Sequence, residues 1–263
     1  MGRTIIEINP AFEPLRGEIE RMLRDTIAAK IESEAKHHTD KVLPDGAKYI
    51  YEGRNNLYRI ETGNVPMIVK DFKKANLLNR YAYCTVRKSK AARSYLNALK
   101  MEDLGFKTPH PIAYCEYRRG IDLIYSFYVS EELTGTQEMR LWEKKPDVST
   151  LLPAFAAEIV KLHRAGVWHK DFSPGNILYK RDKNGQYEFY YVDLNRMQFG
   201  VHDYKKQIRM LRSINLNMEE TARIGRLYGE AAGLDPDVTA REALHELDGY
   251  LAERKKKARL KRR

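Results

Sequence analysis

Two cysteines, Cys84 and Cys115, are all that a chain of 263 residues contains, and they stand in no CxxC or His-paired spacing. A disulfide framework and a zinc site are therefore not indicated, and a reducing compartment fits. Long apolar runs are missing too. No stretch approaches the roughly 18 apolar residues of a membrane-spanning helix, and the opening residues MGRTIIEINP lack the apolar core of a secretory signal. Ile6 stands where an N-myristoylation signal wants Ser or Thr. His37-His38 has no third ligand at a useful spacing and reads as a solvated loop rather than a metal site. There is no internal repeat, and no low-complexity segment apart from the last ten residues. The chain reads as cytoplasmic, at most peripheral to a membrane.

What is present suits two lobes around a cleft. Hydrophobic residues make up 43%, enough for a sizeable core, beside 32% charged residues and a pI near 9.4. The net charge of +11 favours an anionic partner such as a nucleotide, a nucleic acid or an acidic membrane surface. It is unevenly spread. Residues 254–263 read RKKKARLKRR, and subtracting those eight basic residues from +11 leaves +3 for the other 253. The run is most simply a solvated, mobile end. Attraction to anionic lipid is the sharper reading, worth about 1 kcal/mol per basic residue near the surface.

The chemistry concentrates in His169-Lys170-Asp171-Phe172-Ser173-Pro174-Gly175-Asn176-Ile177-Leu178. Asp171 and Asn176 are spaced for phosphoryl transfer: a carboxylate to take or orient the proton of an attacking hydroxyl, and an amide oxygen to help hold Mg²⁺ on phosphates. Pro174 and Gly175 supply the turn that lets the two side chains converge. Asn184-Gly185 then signals a hairpin, and the returning strand, Tyr187 to Val192, ends at Asp193, where a metal-ligating carboxylate would stand beside Asn176. A lone Asp after a strand is usually a turn or cap residue, but loop, spacing, hairpin and Asp together point to a site.

In chain order, residues 10 to 36 carry Phe12, Leu15, Ile19, Met22, Leu23, Ile27 and Ile31 at helical spacing, a packing helix. From Ala47 to Phe72 the pattern is a three-stranded antiparallel meander. Its first turn holds Gly53 and Arg54 where a nucleotide-covering loop would lie, with one glycine instead of GxGxxG, and its third strand carries Lys70, placed to reach across the cleft to nucleotide phosphates. Residues 85 to 104 read as a helix stopped at Gly105. Strands follow at Ile112 to Tyr117 and Leu123 to Val129, and the second leads into a crossing segment whose Glu131 and Leu133 would offer backbone groups to an adenine edge. Leu151 to Ala165 is helical, as is most of 203 to 253, with Asp235 the expected cap before Pro236.

The run from Gly53-Arg54-Asn55 through Val69-Lys70, Lys88-Ser89-Lys90-Ala91-Ala92-Arg93-Ser94, Thr108-Pro109, His163, HKDFSPGNIL and Val192-Asp193-Leu194-Asn195-Arg196-Met197 resembles the bacterial lipopolysaccharide core kinases, the Kdo/heptose kinase, InaA-like group. The likeness covers roughly residues 5 to 250. It implies an α+β, bilobal protein-kinase-like fold, with an antiparallel sheet plus helix in the N-lobe and a mainly helical C-lobe. The corresponding divisions are an N-terminal helical segment (1–40), the N-lobe (41–133), the C-lobe (134–253) and the basic tail (254–263). It further implies ATP-dependent phosphorylation of a sugar hydroxyl on the inner core of lipopolysaccharide, at the cytoplasmic face of the inner membrane. Lys70 would bind phosphates, Asp171 would act on the hydroxyl, and Asn176 and Asp193 would hold Mg²⁺. The expected partner is the lipid A-linked sugar acceptor, with the tail against anionic lipid and no nucleic acid. Two departures stand out. The kinase-like C helix normally carries a Glu that pairs with the strand Lys, yet residues 85–101 contain no acidic residue; Ser94 or Leu96 occupies its place and Glu102 is a substitute near the helix end. That leaves a nucleotide-binding pseudokinase as an alternative. The second departure, Leu-Asn-Arg in place of Phe-Gly after Asp193, argues against an ordinary regulated protein kinase, although an atypical protein or small-molecule kinase stays open.

Overall fold

In a computed structural model of the chain, the described residues are 2–35, 43–53, 55–73, 88–140, 144–214 and 217–261. Arg54, Cys84, the His37-His38 pair, the first residues of the helix expected from 85, and the last two of the basic run lie outside them. The chain divides into two compact units. The first comprises Met1–Asp103 and Thr108–Thr134, the second Leu104–Lys107 and Gly135–Arg263.

The first unit is an antiparallel sheet of six strands, ordered β1-β5-β6-β4-β3-β2. These are β1 Gly2–Ile8, β2 Lys48–Tyr51, β3 Asn55–Thr62, β4 Val65–Phe72, β5 Pro111–Arg119 and β6 Asp122–Glu131. The expected meander and second pair of strands are present. Strand β1 is an addition: residues 2–8 were expected inside a helical segment, but Thr-Ile-Ile-Glu-Ile is rich in β-branched residues, and β1 pairs with β5 from Gly2 opposite Arg119 to Ile8 opposite Ala113. Asn9 then turns the chain. Its side chain donates to Pro111 O at 2.8 Å and accepts from Ala11 N at 3.1 Å. Pro10 and Pro14 hold residues Pro10–Leu15 in a 3-10 turn, so helix α1 begins at Arg16 and ends at Ala35. It buries Ile19, Met22, Leu23 and Ile27 in one core with Tyr58, Met67, Val69, Phe127 and Val129 of the sheet. Helix α2, Lys90–Asp103, is capped by Ser89, whose Oγ accepts from Ala92 N at 3.0 Å, and buries Ala91, Tyr95, Ala98 and Met101.

The second unit is mainly helical: α3 Val148–Arg164, α4 Tyr204–Leu211, α5 Met218–Ala232 and α6 Pro236–Lys261. Asn217 and Glu220 form a capping box on α5, and the Asp235 carboxylate caps α6 by accepting from Asp237 N and Val238 N at 2.9 and 3.0 Å. Gly225 and Gly229 let the two helices close together: a Cβ on either would come within 2.8 Å of the α6 backbone at Ala240 or Pro236. Helix α6 does not stop near residue 253. It continues through the basic run to Lys261, because Lys, Arg, Ala and Leu are all good helix formers, and residues 251–260 are exposed throughout. Two small sheets complete the unit, β7 Gln137–Glu138 with the hairpin β9 Ile177–Arg181 and β10 Tyr187–Tyr191, and β8 Trp168–His169 with β11 Met197–Gln198.

Candidate functional site

The second unit draws Asp171, Asn176 and Asp193 together by hydrogen bonds that begin in the backbone. Helix α3 ends at Arg164, Gly166 takes φ 68°, and β8 delivers His169 at 1% exposure. The loop then folds on the carbonyl of Asp171, which accepts from Ser173 N at 2.7 Å and from Asn176 Nδ2 at 2.8 Å. The amide nitrogen of Asn176 is thereby committed inward, and its Oδ1 is the atom left for a ligand. The β9–β10 hairpin returns the chain to the same place. Its turn is organised by Asp182, whose Oδ1 accepts from Asn184 N and Gln186 N, both at 2.8 Å, while Gly185 takes φ 78°. Val192 N then donates to Asn176 O at 3.0 Å. Asp193 follows at φ 58°, ψ 47°, a left-handed conformation that Asp tolerates better than most residues and that costs energy unless its surroundings enforce it.

His169 holds the two strands of this construction. Asp171 N donates to its Nδ1 at 3.2 Å, so the proton sits on Nε2, which donates to Val192 O at 3.1 Å. Burial pushes this imidazole below the usual histidine range, against the pull of Val192 O and of the Asp193 and Asp171 charges. His169 is a neutral strut between the Asp171 loop and the Asp193 turn.

The residues after Asp193 were legible as a departure from Phe-Gly, but not as contacts. In the turn Leu194–Arg196, Asn195 Nδ2 donates to Asp193 Oδ1 at 2.5 Å, and Arg196 Nη1 lies 2.9 Å from each carboxylate oxygen of Asp171. Sequence reasoning also missed Arg140, whose guanidinium lies against the backbone of Gly175; a Cβ there would stand 2.7 Å from its Cζ, and the exposed arginine would have to move aside.

In the first unit Lys70 lies on β4, opposite Leu57 of β3 and Tyr128 of β6. Its Nζ stands 5.4 Å from the Phe72 ring centroid, and Lys90 Nζ, from the first turn of α2, stands 6.0 Å from the same ring. At the place expected for the C-helix Glu stand Ser94 and Leu96, and the one candidate substitute, Glu102, is otherwise engaged. Ser94 is buried and donates to Lys90 O at 2.9 Å, Leu96 has no carboxylate, and Glu102 is bonded to His110 Nδ1 at 2.8 Å. Gly53 packs beneath Tyr51, where a Cβ would come within 2.6 Å of the ring. Glu131 ends β6 with its N–H committed to His110 O at 2.9 Å, and Leu133 follows half-buried in the segment after it.

A carboxylate at Asp193 and an amide oxygen at Asn176 are hard oxygen donors, few in number, as suits Mg²⁺, which keeps several waters and shares its sphere with substrate phosphates. Among the described residues no group of three or more His, Cys, Asp and Glu forms an all-protein cage. The donor set therefore fits Mg²⁺ held jointly with a nucleotide.

Comparison with known proteins gives the family and the fold. The sequence pattern of the lipopolysaccharide kinase (Kdo/WaaP) family matches residues 69–228. The chain is 23% identical over 203 residues to a 3-deoxy-D-manno-octulosonic acid kinase of Vibrio parahaemolyticus serotype O3:K6, an alignment covering 74% of this chain and 81% of that protein. WaaP, solved in complex with acyl carrier protein, superposes with a TM-score of 0.56 at 21% identity over 98% of each chain, and its fold is protein-kinase-like.

Proposed function

The chain belongs to the lipopolysaccharide kinase (Kdo/WaaP) family, and from that membership we propose that it transfers the γ-phosphoryl group of ATP to a hydroxyl of a Kdo or heptose residue in the lipopolysaccharide inner core. The observation that carries the reading is the convergence of Asp171, Asn176 and Asp193 on one laced loop, with the Asn176 side chain on Asp171 O and the Asn176 carbonyl on Val192 N.

Each residue then has a role. Asp171 accepts a hydrogen bond from the acceptor hydroxyl, orients it and takes its proton as the new O–P bond forms and the bond from the γ-phosphorus to the β–γ bridging oxygen breaks, releasing ADP. Asn176 Oδ1 and the Asp193 carboxylate would hold Mg²⁺, which would supply charge shielding on the phosphates. In the first unit Lys70 binds the phosphates, the segment that begins at Gly53 covers them, and the backbone around Glu131 and Leu133 meets the adenine edge. The acceptor is a lipid-linked sugar, so the enzyme works at the cytoplasmic face of the inner membrane. Acyl carrier protein, the partner of WaaP in its solved complex, is a candidate partner here on the same footing.

A nucleotide-binding pseudokinase is the second reading, favoured by the engagement of Ser94 with Lys90 O and of Glu102 with His110. One experiment separates them: nucleotide binding and turnover measured on the same protein. Asp171→Ala should lower turnover by about 10²–10⁴-fold, the range for loss of a general base, with Mg-ATP binding largely kept. Asp193→Ala should weaken Mg-ATP binding as well. Wild-type protein that binds Mg-ATP and never transfers phosphate would be the pseudokinase.

A further inference from the structure

Two arginines converge on the six-residue loop that carries Asp171 and Asn176, and the phosphotransfer scheme above uses neither. Arg196 reaches Asp171 from the turn after Asp193, one Nη1 at 2.9 Å from both carboxylate oxygens. Its Nε and Nη2 have no partner among the described residues. Arg140 comes from the segment following β7. Its Nε donates to Glu138 Oε2 at 2.6 Å, which fixes the plane of the guanidinium, and that plane rests on Gly175, where a Cβ would fall 2.7 Å from Cζ. Both side chains are well exposed, at 68% for Arg140 and 46% for Arg196, so neither is held there by core packing.

Like charges repel, and an exposed arginine loses rotamer freedom when it is fixed. Placing two guanidiniums on one short loop, each oriented by a carboxylate and each with N–H groups pointing elsewhere, suits a third carboxylate arriving between them. The guanidinium fork matches that group geometrically and can bind it with two parallel hydrogen bonds. With no side chain at Gly175, the Arg140 guanidinium lies directly on the loop backbone. We propose that Arg140 and Arg196 form the acceptor's anion subsite, binding the carboxylate of a sugar acid so that its neighbouring hydroxyl faces Asp171. The proposal rests on the sugar-kinase reading and deepens it, because it selects an acidic sugar over a neutral heptose. Arg196 would serve twice, holding Asp171 in place and turning its remaining N–H groups to the acceptor.

The test uses three soluble acceptors with Mg-ATP: a methyl glycoside of Kdo with a free carboxylate, the methyl ester of the same glycoside, and a neutral methyl heptoside. Removing charge-assisted hydrogen bonds to the carboxylate should raise KM for the ester over the acid by about 10- to 100-fold in the wild type. Arg140→Ala should raise KM for the acid by a similar factor and close the gap to the ester, with KM for ATP unchanged and kcat within a few-fold. Arg140→Lys should recover part of the loss. Equal KM for acid and ester in the wild type would overturn the proposal, as would a gap that survives Arg140→Ala. A wild type that phosphorylates the heptoside and not the acid would overturn it and leave the sugar-kinase reading standing. Wild type that binds Mg-ATP but phosphorylates no sugar would take down the reading beneath it as well.

Discussion

His163 is a buried histidine whose protonation the fold opposes. It is 2% exposed on α3, its Nδ1 is 3.0 Å from the Tyr228 hydroxyl, and its Nε2 has no hydrogen-bond partner among the described residues. Burial pushes its pKa down to about 4 from 6.5. Because the folded value lies below the unfolded one, protons bind the unfolded chain more readily. The stabilisation is fully present above pH 6.5 and is lost as pH falls through about 4, with a total on the order of 3 kcal/mol. Urea unfolding at pH 7 and pH 4.5 should show this loss in the wild type and a smaller one in His163→Gln; the same loss in both would contradict the assignment. His169, shifted in the same direction, adds to the trend. At this scale the sequence was legible where chemistry is local. Asp171 and Asn176 are joined by a tight turn of Pro and Gly, and the spacing alone brings them together. Arg196 on Asp171 was not legible, since that contact spans 25 positions and exists only because β8 pairs with β11.

Among the elements, α1 does the most that its sequence did not announce. Its apolar stripe was readable as a packing helix, yet the same face carries Lys30, whose Nζ meets Asp71 Oδ2 at 2.5 Å with both side chains at or below 10% exposure. Lys30 also stands 5.3 Å from the Tyr125 ring and 5.7 Å from that of Phe127. Asp71 follows Lys70 on β4, so successive side chains on that strand address opposite faces of the sheet. Lys30→Met removes the buried cation beside Asp71 and should cost up to about 3–5 kcal/mol, whereas Lys30→Met with Asp71→Leu should recover most of it. Urea denaturation of both proteins checks this; a single variant within 0.5 kcal/mol of wild type would show that the pair contributes little. Periodicity gives no warning of such a pair, because a Lys at a core-facing position looks the same as one at a boundary. Strand β1 escaped for a related reason: seven residues have no partner until β5, more than a hundred positions away, is in place.

For the whole molecule, the hairpin, the helix caps and most of the strands were readable because turns, caps and strand alternation leave local marks. The departures came where distant segments meet or where propensity runs on past an expected end. Helix α6 is the case in point, carrying the basic run outward as an exposed helix to Lys261. That arrangement concentrates positive charge at one end of the chain. With about 1 kcal/mol per basic residue near an anionic surface, removal of residues 254–263, which takes the net charge from +11 to +3, should abolish sedimentation with anionic vesicles while leaving turnover on a soluble acceptor intact. Unchanged vesicle binding would reject a role for the tail at the membrane.

The most direct test of the central claim is Mg-ATP-dependent phosphate transfer to purified lipid A carrying inner-core sugar, read by mass spectrometry for the wild type and Asp171→Ala. The account predicts a mass gain of one phosphate with the wild type and none with the variant. A wild type that binds Mg-ATP yet leaves the acceptor unmodified, or an Asp171→Ala protein that modifies it as fast as the wild type, would contradict it.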